Sequence, residues 1–237
     1  MIDYEKQFET PAYATKSRQL AIATTFKIVY GWMCLGLAVS GLVAWFTAES
    51  GFGESVLTGG GMMICIIAEL ALVLTLSAGI RKLPVVAAYL LFLAYSAVNG
   101  LTLSVIFLAY DLGLVARVFF ITAGMFGGLA VWGSLTKGDL SSIGSICGMA
   151  VWGLIIGSLV NLFVGSSRLD HLLTFVGIIA FTGLTMYDAQ KVKEIAAAER
   201  TLDGTAVHKA GIMGALSLYL DFINLFLYLL RFFGRKD

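Results

Sequence analysis

Three carboxylic acids, Glu69, Asp188 and Asp221, lie inside stretches of the sequence that are otherwise strongly hydrophobic. Placing an acidic side chain at the centre of a membrane-spanning helix costs about 2.5 to 3.5 kcal/mol on insertion scales. An acid that occupies such a place in spite of this cost marks a binding site or a conduction path by default. We therefore expect the chemistry of the chain at these three carboxylates.

Two of these acids, Asp188 and Asp221, fall in the last two hydrophobic segments, where they can meet as a pair. Two carboxylates that lie together in a low-dielectric site cannot both ionise cheaply, so the pair tends to share one proton and to titrate as a unit. This predicts a pH-sensitive latch between two helices that acid closes and a more alkaline cytoplasm opens. In the ionised state the same oxygens are the hard ligands that Ca²⁺ prefers, which makes Asp188 and Asp221 candidate Ca²⁺ ligands.

Uncharged polar residues accompany the acids at helical spacing. The last segment contains polar residues spaced i, i+4, i+7 and i+11, namely Ser217, Asp221, Asn224 and Tyr228. They share one helix face, which must point into the interior of a helix bundle because the rest of the helix is hydrophobic. The candidates for lining a path are Asn99, Thr102, Thr185, Ser217 and Asn224. A purely structural role, in which such residues join helices by hydrogen bonds, stays open.

Basic residues are missing from the depth of every hydrophobic segment, so a cation that engages the carboxylates must come from the rim of the membrane. The candidates are Arg81 and then Lys82, at the end of the second segment. A cation close to the pair would keep both carboxylates ionised. Arg81 is therefore a candidate gate partner, and Glu69 is a candidate second acidic site along the path.

The composition places these residues in a membrane. The chain of 237 residues is 59% hydrophobic and 13% charged, beyond the apolar share of roughly half in a soluble domain. A transmembrane helix needs about 20 mostly apolar residues, and the runs found here lack the alternation of barrel strands. We therefore expect an all-α integral membrane protein, a bundle of seven transmembrane helices. The predicted segments are Phe26 to Ala48, Val56 to Ala78, Pro84 to Tyr110, Val115 to Leu135, Ile143 to Val164, Leu172 to Tyr187 and Gly211 to Leu230.

The distribution of lysine and arginine predicts the orientation of the bundle. With the N-terminus inside and the C-terminal tail set aside, eleven basic residues fall on the cytoplasmic side and two on the other. The positive-inside rule then places the N-terminus in the cytoplasm. We expect a cytoplasmic tail over residues 1–24 and one transmembrane domain over residues 25–237. The basic C-terminal tail disagrees, so the seventh segment either crosses, as we favour, or re-enters and returns to the cytoplasm.

Other classes of function have little support in the sequence. A net charge of +1 gives no reason to expect nucleic-acid binding. His171 and His208 lie at predicted membrane edges on opposite sides, without an adjacent nucleophile or metal-ligand spacing, and we interpret them as solvated loop residues. The three cysteines lack CxxC or Cys/His spacing and are interpreted as packing residues. We therefore expect neither an enzyme nor a bound cofactor.

Glycine pairs at GxxxG spacing allow helices to approach closely in lipid. We interpret them as packing sites within the chain rather than as a dimer face. The pairs are Gly124 with Gly128, Gly144 with Gly148, and Gly153 with Gly157.

Three runs of sequence resemble a known family. They are AELALVLTLSAGIRK at 68–82, GLTMYDAQ at 183–190 and LYLDFINLFLYLLRFFG at 218–234. Together they are similar to the transmembrane Bax inhibitor motif family (Bax inhibitor-1 like), from about Tyr30 to the C-terminus. The tyrosine–aspartate pair at 187–188 and the run LDFINLF are the most specific matches, and the short N-terminal tail resembles bacterial inner-membrane members.

The resemblance implies a seven-helix bundle whose last helix is central or paired with the sixth as a hairpin. It also implies a pH-sensitive Ca²⁺ leak controlled by two aspartates, whose positions Asp188 and Asp221 take. Glu69 matches the acidic residue of the family's second helix, and Arg81 the basic residue that engages the pair.

Our leading hypothesis is a gated, passive leak for cations, with Ca²⁺ as the permeant ion and protons as the regulator. A second hypothesis is a regulator that binds membrane proteins or a membrane protease in the lipid bilayer, of the stress or cell-death suppression type. A third is a proton-coupled cation exchanger. In each case we expect a multi-pass protein of a bacterial inner membrane.

Overall fold

The computed structural model describes residues 11–53, 60–198 and 204–234. These residues form seven long α-helices and no strand, which confirms the predicted all-α fold. Each helix is long and apolar enough to cross a membrane. The helices are α1 (Pro11–Glu49), α2 (Gly61–Gly79), α3 (Val85–Ala109), α4 (Leu112–Leu135), α5 (Ser141–Val164), α6 (Ser167–Ala198) and α7 (Gly204–Phe233).

The last helix lies at the centre of the bundle, as predicted. Within its apolar stretch 67% of the residues are buried, against 11 to 39% in the other six helices. It packs on α1, α3, α4 and α6, whereas α2 packs on α3 at the edge of the bundle. The helix that contains Asp221, Asn224 and Ser217 is thus the one surrounded by protein, where these polar groups avoid contact with lipid.

Three helices extend beyond the apolar segments that the sequence predicts. α1 begins at Pro11, inside the predicted tail, whose first ten residues lie outside the described range. α6 continues to Ala198 through the polar run QKVKEIAAA, and α7 begins at Gly204. Hydropathy identifies only the apolar part of a helix, whereas lysine, glutamate and alanine have high helix propensity and extend the helix beyond that part.

The seventh helix is uninterrupted from Gly204 to Phe233. A rise of 1.5 Å for each of its 30 residues makes it about 45 Å long, which exceeds a hydrocarbon core of about 30 Å. A re-entrant segment would need a break at membrane depth, and this helix has none. Of the basic C-terminal tail, Arg231 lies in the helix and residues 235–237 lie outside the described range.

Two glycines outside the predicted pairs lie against the backbone of a neighbouring helix. A Cβ on Gly133 of α4 would overlap with the backbone of Met186 in α6. A Cβ on Gly100 of α3 would lie 2.7 Å from the carbonyl oxygen of Ser40 in α1. At both positions the absence of a side chain permits backbone contact between helices.

The predicted GxxxG pairs behave differently from one another. Gly144 lies against the ring of Tyr187, and Gly157 lies against Leu173, so each packs on α6. A Cβ on Gly124 or Gly128 would meet nothing within 4 Å. The interpretation of that pair as an internal packing site is therefore wrong, because this face of α4 points away from the bundle.

Candidate functional site

A cavity of about 730 Å³ lies between α5, α6 and α7, and both aspartates line it. Asp188 comes from α6 and Asp221 from α7. The other lining residues are Val151, Leu154, Ile155, Ser158, Leu159, Leu162, Phe181, Leu184, Ser217, Leu220, Asn224 and Tyr228. The two acids that the sequence pairs thus share one cavity.

Asp221 is the more deeply enclosed member of the pair. Its side chain is 4% exposed, and its Oδ2 atom is buried without a hydrogen-bond partner among the described residues. Burial of an ionised carboxylate without a partner is unfavourable by several kcal/mol. The central helix therefore carries a carboxylate at the cavity with one oxygen that no described side chain satisfies.

Asp188 has a different environment. It is half-buried and lies beside Ser217 of α7 and Lys191 of its own helix. Lys191 is exposed, and its Nζ lies 5.6 Å from the centre of the Tyr187 ring. The cation that acts on Asp188 is therefore a residue three positions further along α6, a spacing that places both side chains on one helix face.

Arg81, the predicted cation, is not brought to the pair. It is exposed just beyond the end of α2, and its carbonyl oxygen accepts a hydrogen bond of 3.0 Å from Nζ of Lys209. It is absent from the lining of the cavity. The sequence analysis missed Lys191, although its i+3 spacing from Asp188 on one helix was the signal that could have identified it.

The polar face of α7 runs along the cavity. Ser217 and Tyr228 are eleven residues apart, which corresponds to roughly 16 Å along the helix axis. Nδ2 of Asn224 donates to the carbonyl oxygen of Leu220 at 2.8 Å, and the Tyr228 ring stacks on Phe181. The predicted face of α7 therefore lines the cavity at all four of its polar positions.

Thr185 does not join this lining. Its side chain is fully buried, and its hydroxyl donates to the carbonyl oxygen of Phe181 at 2.7 Å, within α6. Ser158 of α5 lines the cavity instead, although the sequence did not single it out. No acidic residue stands near Ser158 in the sequence to mark it as a candidate, so only the packing of α5 on α6 shows its position.

Glu69 belongs to a second polar cluster, on the other side of α7. The hydroxyl of Thr102 donates to Oε1 of Glu69 at 2.7 Å, and Asn99 lies beside the same carboxylate. Oδ1 of Asn99 accepts a hydrogen bond of 2.8 Å from the hydroxyl of Tyr219, which also bonds the Ser40 hydroxyl at 2.6 Å. Because residues 219 and 221 are about 200° apart around a helix, the two clusters face opposite ways.

Both histidines lie in helices, and the interpretation of them as loop residues is therefore wrong. His171 is exposed in the first turns of α6, with Nδ1 2.6 Å from the carbonyl oxygen of Ser167. His208 is half-buried near the start of α7, where Nδ1 is hydrogen-bonded to the hydroxyl of Tyr89. The polar ends of these helices extend past the apolar segments, and so include them.

The cavity offers oxygen ligands without forming a compact metal centre. In the parts of the chain that the structure describes, no group of three or more His, Cys, Asp and Glu side chains is placed to hold a metal ion. Resident Ca²⁺ takes six to eight oxygen ligands. The cavity provides two carboxylates together with serine, asparagine and tyrosine side chains.

The comparisons with known proteins agree with this architecture. The family described as "Inhibitor of apoptosis-promoting Bax1" (Bax1-I) matches residues 22–237. The inner membrane protein YbhL of Escherichia coli K12 is 46% identical over 210 residues, which cover 88% of this chain and 90% of that protein. An uncharacterized protein of Borreliella burgdorferi is 42% identical over 88% of this chain and 90% of its own length. The protein RP147 of Rickettsia prowazekii is 37% identical over 100% of this chain and 99% of its own length.

Proposed function

This chain belongs to the Bax1-I (Bax inhibitor-1) family of membrane proteins, and from that premise we propose that it is a pH-sensitive passive leak for cations, with Ca²⁺ as the favoured ion. Asp188 and Asp221 form the gate between α6 and α7. The observation that carries the proposal is that Asp221 and Asp188 line one cavity, while the Oδ2 atom of Asp221 is buried without a hydrogen-bond partner among the described residues.

Protonation controls this gate through repulsion between the two carboxylates. While the pair holds a proton, it carries at most one negative charge, and α6 and α7 stay packed against each other. When that proton leaves, two negative charges remain, and unit charges about 4 Å apart at an effective dielectric constant of 20 interact by roughly 4 kcal/mol. The repulsion favours separation of the helices, and the same charge attracts a divalent cation.

The sign of the pH dependence follows directly. At pH values below the titration of the pair the proton is present and the path is closed. As the pH rises through that titration the proton is lost and the path opens. The flux of Ca²⁺ is thus expected to increase from acid to neutral pH.

The test is Ca²⁺ flux into liposomes that contain the purified protein, with equal pH on both sides. The wild-type flux should rise with pH, and Asp221→Asn should remove that rise because an amide has no proton to lose. Asp188→Asn should do the same. An Asp221→Asn variant with the wild-type pH profile would contradict the proposal.

Asp139→Asn is the matched control for these variants. Asp139 is an exposed acid in the connection between α4 and α5, away from the cavity, so the same chemical change there should leave the pH profile unaltered. A second arm imposes a pH gradient across the liposome. A flux that responds to the gradient rather than to the pH itself would indicate a proton-coupled exchanger instead.

Glu69 enters this proposal as a second acidic site on the opposite face of α7. Its carboxylate is held by Thr102 of α3 and does not line the cavity of the aspartates. Glu69→Gln is therefore expected to change the amount of flux while leaving its pH dependence in place.

A regulator that binds another membrane protein is the second candidate, since the family is described as inhibiting a protein, Bax1. Partner binding by a pure adaptor would not require ionisable groups in the cavity. In that case the double variant Asp188→Asn with Asp221→Asn would retain its partners in a pull-down and have no flux phenotype.

We further propose that the protein resides in a bacterial inner membrane with its N-terminus in the cytoplasm. The relative from Escherichia coli is described as an inner membrane protein, and the excess of basic residues favours this orientation.

A further inference from the structure

A groove runs along the bundle between α1 and α4, away from the cavity of the aspartates. Both helices pack on α7, but they pack little on each other. The gap contains two cavities of about 400 Å³ each, which share Leu37, Phe119 and Phe222. The two cavities therefore follow one another along the bundle, and the Phe222 ring of α7 forms the floor where they meet.

The walls of this groove are almost wholly apolar. Small residues line much of the groove, and their short side chains leave a gap between the two helices. They are Gly41, Ala44, Ala116, Ala123, Gly127 and Ala130. A Cβ on Gly41 or on Gly127 would meet nothing within 4 Å. Water has no polar partners along such a wall, and an empty gap forfeits van der Waals contacts, so a hydrocarbon chain is the occupant that suits it.

One end of the groove is polar and basic. Tyr30 and Ser134 line this end, one turn from the exposed Lys27 of α1. Nζ of Lys193 donates to the carbonyl oxygens of Ser134 at 2.8 Å and Thr136 at 3.0 Å, and so also lies at this end. The exposed Lys137 follows directly after α4.

Acidic residues only partly offset these lysines. Glu194 is exposed on α6, next to Lys193 in sequence. Asp139 is exposed, and hydrogen bonds from the Ser141 side chain and backbone N–H hold the pKa of its carboxyl below the ordinary value, so it is charged at neutral pH. Among the side chains that the structure describes here, three lysines against two acids leave a net positive rim around the hydroxyl groups of Tyr30 and Ser134.

We propose that this groove is a binding site for an anionic phospholipid, with an acyl chain along α1 and α4 and the headgroup phosphate at the end formed by Tyr30, Ser134 and the lysines. Basic pockets between transmembrane helices recognise anionic headgroups in this way. The site lies on a different face of α7 from the proposed gate, because the Phe222 side chain is about 100° around the helix from Asp221 and does not line the cavity of the aspartates.

The test uses spin-labelled lipids in vesicles of phosphatidylcholine that contain the purified protein. Phosphatidylglycerol labelled on its acyl chain should show a motionally restricted component in electron spin resonance, larger than that of labelled phosphatidylcholine. Gly127→Leu should fill the groove and remove this excess. Gly128→Leu is the matched control, because Gly128 is exposed, has open space around it and does not line the groove.

The opposite end and the headgroup are tested separately. Gly41→Leu should also remove the excess, while Gly31→Leu, at another open position of α1 outside the groove, should not. Lys137→Gln should lower the preference for phosphatidylglycerol by about fivefold, the equivalent of roughly 1 kcal/mol for one lysine near an anionic headgroup. Size-exclusion profiles and unfolding temperatures equal to wild type show that each variant is folded.

Two results would overturn the proposal. One is a restricted component of equal size for both lipids, which would mean that the groove holds bulk lipid without recognising a headgroup. The other is cross-linking of a second copy of the chain through Cys34, which is exposed and lines the groove, because a protein would then occupy this face.

Discussion

At the scale of the residue, Tyr219 links the central helix to its neighbours on the face opposite Asp221. Its side chain is fully buried, and its hydroxyl bonds Ser40 of α1 and Asn99 of α3. The ring packs edge-on against Phe92 and Tyr95. A hydrogen-bonded tyrosine at this position fixes the rotation of α7 about its axis, and that rotation directs the Asp221 side chain to the cavity.

We expect Tyr219→Phe to lower the free energy of unfolding by about 0.6 to 1.7 kcal/mol, which are the average and the maximum measured for hydrogen bonds between transmembrane helices. The ring contacts remain, so the loss reports on the hydroxyl alone. Thermal unfolding in detergent is the measurement. Tyr228→Phe is the control, because the Tyr228 ring stacks on Phe181 and its hydroxyl makes none of these bonds. Equal unfolding temperatures for the two variants would contradict the role given to the Tyr219 hydroxyl.

At the scale of the element, glycine determines how closely α4 approaches α6. A Cβ on Gly133 would meet the backbone of Met186, which cannot move aside as a flexible side chain can. Met186 is two residues before Asp188, so this contact positions the part of α6 that contains one of the two proposed gate residues. The glycines of α4 at GxxxG spacing have open space around them instead.

Gly133→Ala should destabilise the protein by about 1 to 3 kcal/mol, since it forces a methyl group into a closed contact. Gly128→Ala, five residues earlier on the same helix, should stabilise it by up to about 1 kcal/mol, because alanine is the better helix former and has room there. Unfolding temperatures of the two variants should therefore move in opposite directions. A shift of the same sign in both would contradict the contact.

At the scale of the whole molecule, the number of helices and the distribution of charge disagree about the C-terminus. The described residues form seven uninterrupted helices, and seven crossings would put Pro11 and Phe233 on opposite sides of the membrane. The basic residues of the C-terminal tail favour the cytoplasm. The continuity of α7 outweighs this preference, since α7 is enclosed by four other helices.

Reporter fusions to the two termini test this arrangement in a bacterial host. A fluorescent protein that folds only in the cytoplasm should be active at the N-terminus and inactive after residue 237. Alkaline phosphatase, which needs the periplasm, should show the reverse. Phosphatase activity at the N-terminus, or fluorescence at both termini, would contradict a bundle of seven crossings with the N-terminus inside.

The number and type of the helices follow from the order of the amino acids, which also identifies Asp188 and Asp221 as acids in apolar segments. Length and hydropathy suffice for this because a bilayer imposes them locally, on each helix in turn. Only the packing of the helices shows that Asp188 and Asp221 share a cavity, that Glu69 lies on the other side of α7, and that Arg81 is not brought to the pair. These relations depend on the rotation of each helix and on contacts such as Gly133 with Met186, which join residues far apart in the chain.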